Sequence, residues 1–177
     1  FIYNQLIMKT FCSSISLQRG EEILGTATFA KAYLMIRMEK RNWNFGLKDA
    51  NISNDLKEKL NKLQNSGVKI IFFQGIPGDP HFFYFSKSGW ISGECLDIIN
   101  EDKLLPVDEQ KINIIFVCVH GQRDACCARF GYTVFSELRE LGTNVRQCSH
   151  VGGDRFAANM LKFPEGDCFG HLRTMVE

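Results

Sequence analysis

"INIIFVCVHGQRDACCARFG" occupies residues 112–131, and its reading decides the fold. The run Ile112–Val117 has the pattern of a buried strand. A polar loop follows. Then Cys127, Phe130, Val134, Phe135, Leu138 and Leu141 recur at helical spacing, with Asp124 as the natural cap and Gly142 as the stop. A strand feeding a helix through a short loop opens an α/β unit. The loop and the first helical turn also hold three of the chain's seven cysteines, Cys118, Cys126 and Cys127, beside His120, Arg123 and Asp124. Three chemistries compete for such a cluster: a disulfide clasp, a thiol nucleophile and a metal site.

Working outward, Asn144–Cys148 reads as a short strand and 149–155 ("SHVGGDR") as a loop. Ala157–Phe163 reads as a strand, 164–167 as a turn and Cys168–Leu172 as the returning arm of a hairpin. Upstream, Ala32–Met38 reads as a strand. Leu56, Leu60 and Leu63 mark a helix capped by Ser53 and stopped by Gly67. Val68–Phe73 and His81–Ser86 read as strands around the Gly/Pro loop "QGIPGDP". The charged segment Asn100–Lys111, with Pro106, reads as a junction. The expected fold class is therefore α/β: a smaller N-terminal α/β lobe over residues 8–108, packed against a second lobe over 109–177. No internal repeat is evident. The second lobe runs strand, helix, strand, loop, strand, strand, the order of a thioredoxin-like mixed sheet. The closing helix of that fold is missing or barely begun at Glu177, which reads as a chain cut short.

Composition narrows the function classes. The 177 residues carry a formal net charge of +1 with 45% hydrophobic and 23% charged residues. This is the balance of a water-soluble globular chain with no strong field for nucleic acid or a membrane surface. No stretch approaches the roughly 20 apolar residues of a membrane span. The opening "FIYNQLI" is too short for a secretory core and lacks a basic flank. The expected compartment is the cytoplasm, where structural disulfides are rare, and seven is an odd number to pair. Both points argue against the clasp. Fifteen phenylalanines against four tyrosines favour buried strands.

Loops leaving the carboxyl ends of parallel strands converge on one edge of an open sheet. If the strands before Cys118 and His150 are parallel, Cys118, Cys127, His150 and Asp154 surround one point. Thiolates with an imidazole suit zinc or an iron–sulfur cluster. Zinc sites favour cysteines two to four residues apart, whereas Cys118 and Cys127 enclose eight, which suits something larger than one ion. The amides of "HGQRD", with Arg123, would donate hydrogen bonds to that group, His120 stands in the same loop, and Gly152 and Gly153 would let backbone approach it closely.

The stretches "CVHGQRDACCARFG" and "CSHVGGDRFAANMLKFPEGDCFGHL" resemble the sucrase/ferredoxin-like family, the thioredoxin-like ferredoxins, and "CSSISLQRGEEILGTA" (Cys12–Ala27) is similar to that family's opening segment. The resemblance spans roughly residues 11–172. It implies a [2Fe-2S] cluster used for electron transfer. The family's first ligand pair falls on Cys118 and Cys127. Its second pair, four residues apart and reading "HVGGH" in a eukaryotic branch, falls on His150 and Asp154. Aspartate is a hard and unusual ligand for such a cluster, so Cys148, two residues before His150, is the alternative fourth donor. Nothing in the residues supports the sucrase half of the family's name, since no carboxylate pair stands out for glycoside hydrolysis.

The implied partner is a redox protein that gives or takes the electron, with no nucleic acid and no membrane. Two other classes stay open: a thiol-based redox or cysteine-nucleophile enzyme, and a structural zinc domain. The arginine of "CVHGQR" falls one position short of the phosphatase spacing, and no Cys-x-x-Cys is present for thioredoxin-type exchange. Cys95 and Cys168 read as packing, His81 and His171 as structural, and Cys12 as a cysteine without a partner. The N-terminal lobe shows no catalytic set and reads as a cofactor-free unit that shields the cluster or docks a reductase.

Overall fold

The computed structural model describes residues 11–94 and 112–173. The expectations for "FIYNQLI", Cys95, the 100–111 junction and the end at Glu177 lie outside the described residues.

The chain is mixed α/β. A seven-residue helix, α1 (Cys12–Gln18), precedes strand β1 (Ala32–Arg37). Helix α2 (Asn54–Asn65) follows, with Ser53 accepting the Leu56 amide as its cap. Then come β2 (Val68–Gln74), β3 (Phe82–Ser86) and β4 (Gly89–Gly93). The second half repeats this order: β5 (Ile114–Cys118), α3 (Ala125–Glu140), β6 (Val145–Cys148), β7 (Met160–Phe163) and β8 (Asp167–Phe169). Asp124 caps α3 by accepting the Cys126 amide at 2.7 Å, as its sequence position predicts. Strand β4, helix α1 and a short 3-10 turn at Asp154–Phe156 are elements that the sequence patterns did not announce.

All eight strands form one sheet in the order β4-β3-β1-β2-β6-β5-β7-β8. In each half the first two strands are parallel and the next two run antiparallel outward. The order therefore reads the same in both directions from a central seam. There β2 and β6 pair antiparallel, Phe73 opposite Cys148 and Gln74 opposite Gln147. The repeat is one of topology and left no mark in the residues. The halves meet edge to edge, with the Ser149 amide donating to the Phe72 carbonyl at 2.8 Å and the Phe72 amide to Ser149 Oγ at 2.9 Å. The Lys69 ammonium donates to the Val151 carbonyl across the same seam.

Each face of the sheet has its own core. One packs Leu60 and Leu63 of α2 and Val134 and Leu138 of α3 against Leu34, Phe72, Val117 and Val145. The other is aromatic: Phe73, Phe83, Phe85, Phe116 and Phe163 are all buried there. Phe85 of β3 and Phe163 of β7 stack with ring centroids 3.9 Å apart, although four strands separate them in the sheet order. They touch because the sheet curls. The phenylalanine-rich composition thus goes into strands, as expected, and supplies the concave layer. Cys118 and Cys148, side by side in the parallel β5–β6 register, lie in this same layer with Cys126 and Cys127.

Candidate metal centre

Strands β5 and β6 are parallel, so their carboxyl ends deliver Cys118 and the loop after Cys148 to one edge. Helix α3 adds Cys127 from its first turn. The thiol sulfurs of Cys118 and Cys127 and a ring nitrogen of His150 all lie within 4.8 Å of one another. His150 Nδ1 is 3.7 Å from Cys127 Sγ and 4.0 Å from Cys118 Sγ. Two ligands about 2.3 and 2.0 Å from a single tetrahedral ion would stand roughly 3.5 Å apart, so the donors are spaced almost for one ion.

The other side of the imidazole meets Asp154, whose Oδ1 is 2.6 Å from Nε2. It is a close charge contact rather than an aligned hydrogen bond, and Oδ1 is buried without a hydrogen-bond partner. Asp154 thus sits behind the ring that faces the thiols. Cys148 is fully buried beside Cys118, outside the group of three converging donors.

The electrostatics divide the pair of thiols. The Cys127 thiol beside it, with help from His150, holds Cys118 well below the usual thiol range despite burial. Cys127 is pushed up by that same Cys118 thiolate and by burial. For His150, burial works against the charged ring, but the Cys118 thiolate and Asp154 outweigh it and the ring is raised above the ordinary histidine value. These directions favour negative charge on the Cys118 sulfur and a proton on the His150 ring, with Cys127 held toward its thiol form. A metal ion would displace those protons and take the same three atoms.

The expected surroundings fall into two groups. His120 is buried, and its Nδ1 accepts the His150 amide at 3.2 Å, which fixes the backbone of that residue. Burial lowers the His120 ring, in keeping with a neutral acceptor. Its ring also meets Trp43 edge-on at 5.7 Å. Gly152 and Gly153 have φ of +90° and +69°, and their carbonyls accept the two bonds of the Asn159 side-chain amide. Left-handed backbone at two consecutive positions is what the glycine pair is for. Arg123 is exposed in the loop, close enough for its charge to reach His150.

Several contributors were not legible in sequence. Asn159 and Trp43 support the loop and His120, yet neither carries a motif. Cys12 has a partner after all: its sulfur lies 3.4 Å from that of Cys126. Glycine at position 131 reads in sequence as an ordinary helix position, but it presses against the Cys118 carbonyl.

The sucrase/ferredoxin-like family model matches residues 23–175. The chain belongs to the sucrase/ferredoxin-like family. The match takes in every residue of the candidate centre. The family segment starts at Ile23, so α1 and Cys12 lie before it. No curated protein and no solved structure matches the chain. Among the described residues, no helix is long and apolar enough to cross a membrane.

Proposed function

We propose that this member of the family is an electron-transfer protein whose Cys118, Cys127 and His150 hold a [2Fe-2S] cluster, and that each half of its sheet is a thioredoxin-like unit. One observation carries the proposal: two buried thiols and an imidazole converge at the carboxyl edge of β5 and β6, in a chain of the sucrase/ferredoxin-like family. The donor set fits the group. Thiolate and imidazole are the ligand types of two-iron clusters with mixed ligation. The Cys118 thiolate is already favoured by its surroundings.

When bound, the cluster would supply one-electron redox chemistry. The chain's own residues supply the rest. Cys118 and Cys127 would give anionic sulfur. His150 would ligate through Nδ1, the nitrogen that faces the sulfurs. Replacing thiolate by imidazole removes negative charge and raises the potential. Asp154 at Nε2 would orient the ring and increase its basicity, the usual part of a carboxylate behind a ligating histidine. The fourth bond would come from Asp154, in place of its contact with Nε2, or from Cys148. The aromatic layer behind the sulfurs would keep water from one side of the group. The electron partner would be another redox protein, and the compartment the cytoplasm.

A specific observation favours a second reading. Three donors at single-ion spacing with a carboxylate behind the histidine also describe a zinc site with one open position. Anaerobically purified protein separates the two. A reddish-brown spectrum that bleaches with dithionite, with two irons and two sulfides per chain, supports the cluster. A colourless protein with one zinc overturns it.

A further inference from the structure

A second thiol pair lies one residue from the candidate centre and is not part of it. Cys126 and Cys127 are neighbours on α3, and successive residues of a helix point about 100° apart. Cys127 turns toward Cys118 and His150. Cys126 turns the other way, toward Cys12 at the start of α1, with the two sulfurs 3.4 Å apart. Both are free cysteines; Cys12 is exposed and Cys126 buried.

The contact is held from several directions. Phe11 meets Phe130 edge-on at 5.5 Å. Ser13 Oγ donates to the Ala157 carbonyl. The Arg173 guanidinium donates to the Ser13 carbonyl and hydroxyl, at 3.1 and 2.8 Å, and stacks 3.9 Å over the Phe130 ring. These ties anchor α1 against α3 and against the turn that carries Asp154. Asp124 is near enough to complete a three-donor group with the two sulfurs. Its Oδ1 is committed to the Cys126 amide as the helix cap, and the cationic Arg173 is close enough for its charge to reach Cys126. Both features favour joining the sulfurs over binding a cation between them.

We propose that Cys12 and Cys126 form a reversible disulfide, an oxidative modification site separate from the metal centre, with small-molecule disulfides as its oxidants. The exposed Cys12, as thiolate, attacks one sulfur of the oxidant RSSR, which forms a mixed disulfide and releases RS⁻. Cys126, losing its proton, then attacks Cys12 Sγ and releases the second RS⁻. The two protons lost by the protein end on the two leaving thiolates. The protein dithiol is oxidised by two electrons, and RSSR is reduced to two RSH. Closing the bond needs the sulfurs to move from 3.4 Å to about 2.05 Å. The product ties α1 to the turn of α3 that carries Cys127.

Oxidised glutathione on the full chain, as purified with its metal, tests the proposal by intact mass and peptide mapping. The expected product is a loss of two hydrogens with Cys12 and Cys126 in one linked peptide. It should outnumber the mixed disulfide, because a thiol held in contact has an effective concentration of order mM or above. Cys12→Ser and Cys126→Ser should each abolish the linked peptide; Cys126→Ser should leave glutathione on the exposed Cys12, Cys12→Ser should leave the buried Cys126 unmodified, and Cys168→Ser should leave the Cys12–Cys126 link intact. Wild-type protein that keeps glutathione on Cys12 without resolving it, or that links Cys126 to Cys127, overturns the proposal. The wild-type map decides this even if a variant fails to fold. Metal content is read separately, so failure here is distinct from failure of the cluster assignment.

Discussion

Gly131 of α3 lies against the carbonyl oxygen of Cys118, so close that a Cβ on residue 131 would fall far inside van der Waals contact with that oxygen. The helix that supplies Cys127 is thus pressed onto the strand end that supplies Cys118. On propensity alone, Gly131→Ala should stabilise a helix by about 1 kcal/mol. Here the atom it meets is backbone and cannot step aside. The expected outcome is a net destabilisation of about 1–3 kcal/mol by denaturant titration, together with faster metal loss to a chelator. An unchanged or more stable variant would show that the helix is not seated on β5.

Arg146 and Asp79 should hold the seam between the halves. Arg146 Nε and Nη2 each lie 2.6 Å from an oxygen of the Asp79 carboxylate, and the two side chains are only 10% and 7% exposed. Asp79 belongs to the loop after β2, and Arg146 to β6. Removing one partner leaves a buried charge alone, which costs on the order of 3–5 kcal/mol. Asp79→Asn should therefore destabilise strongly, and the pair Asp79→Leu with Arg146→Met much less than the sum of its singles. Additive effects in that double-mutant cycle would mean the pair is not coupled.

The fourth donor is open to a direct contrast. In the structure Asp154 contacts the far nitrogen of His150, and Cys148 is packed beside Cys118. If Asp154 ligates, Asp154→Ala should abolish the native spectrum and Cys148→Ser should leave it; if Cys148 ligates, Cys148→Ser should abolish it and Asp154→Ala should only shift it through His150. Cys118→Ser and Cys127→Ser should each remove the colour, while Cys168→Ser, outside the three converging donors, keeps it. Colour retained in Cys127→Ser would sink the three-donor site.

Lys69 gives a pH signature on the alkaline side. Burial lowers its ammonium below the ordinary lysine value of 10.5, while Cys168 and other thiols pull it partly back. The folded state therefore releases this proton before the unfolded chain does. Stability from this group rises as pH climbs from the depressed folded value toward 10.5, because there the unfolded state binds more protons. Relative to Lys69→Met, the wild type should gain stability across that window. A constant difference across it would show that Lys69 is solvated in the fold.

The sequence by itself determined the local pieces and the identities of the donors. Apolar runs marked most of the buried strands, and Ser53 and Asp124 announced two helix starts, because period and capping are written in neighbouring residues. The cysteines, His150 and the glycine pair were legible for the same reason. Short or exposed elements were not: β4 has no buried position, and α1 owes its place to Phe11, Ser13 and Ser16 docking elsewhere. Only the tertiary structure decided that two halves share one sheet through β2 and β6, that Cys12 meets Cys126, and that Asp154 stands behind His150. Those are contacts between residues far apart in the chain or through a turn, set by how the sheet curls and the edges meet. No local pattern encodes them, since each depends on the packing of everything between.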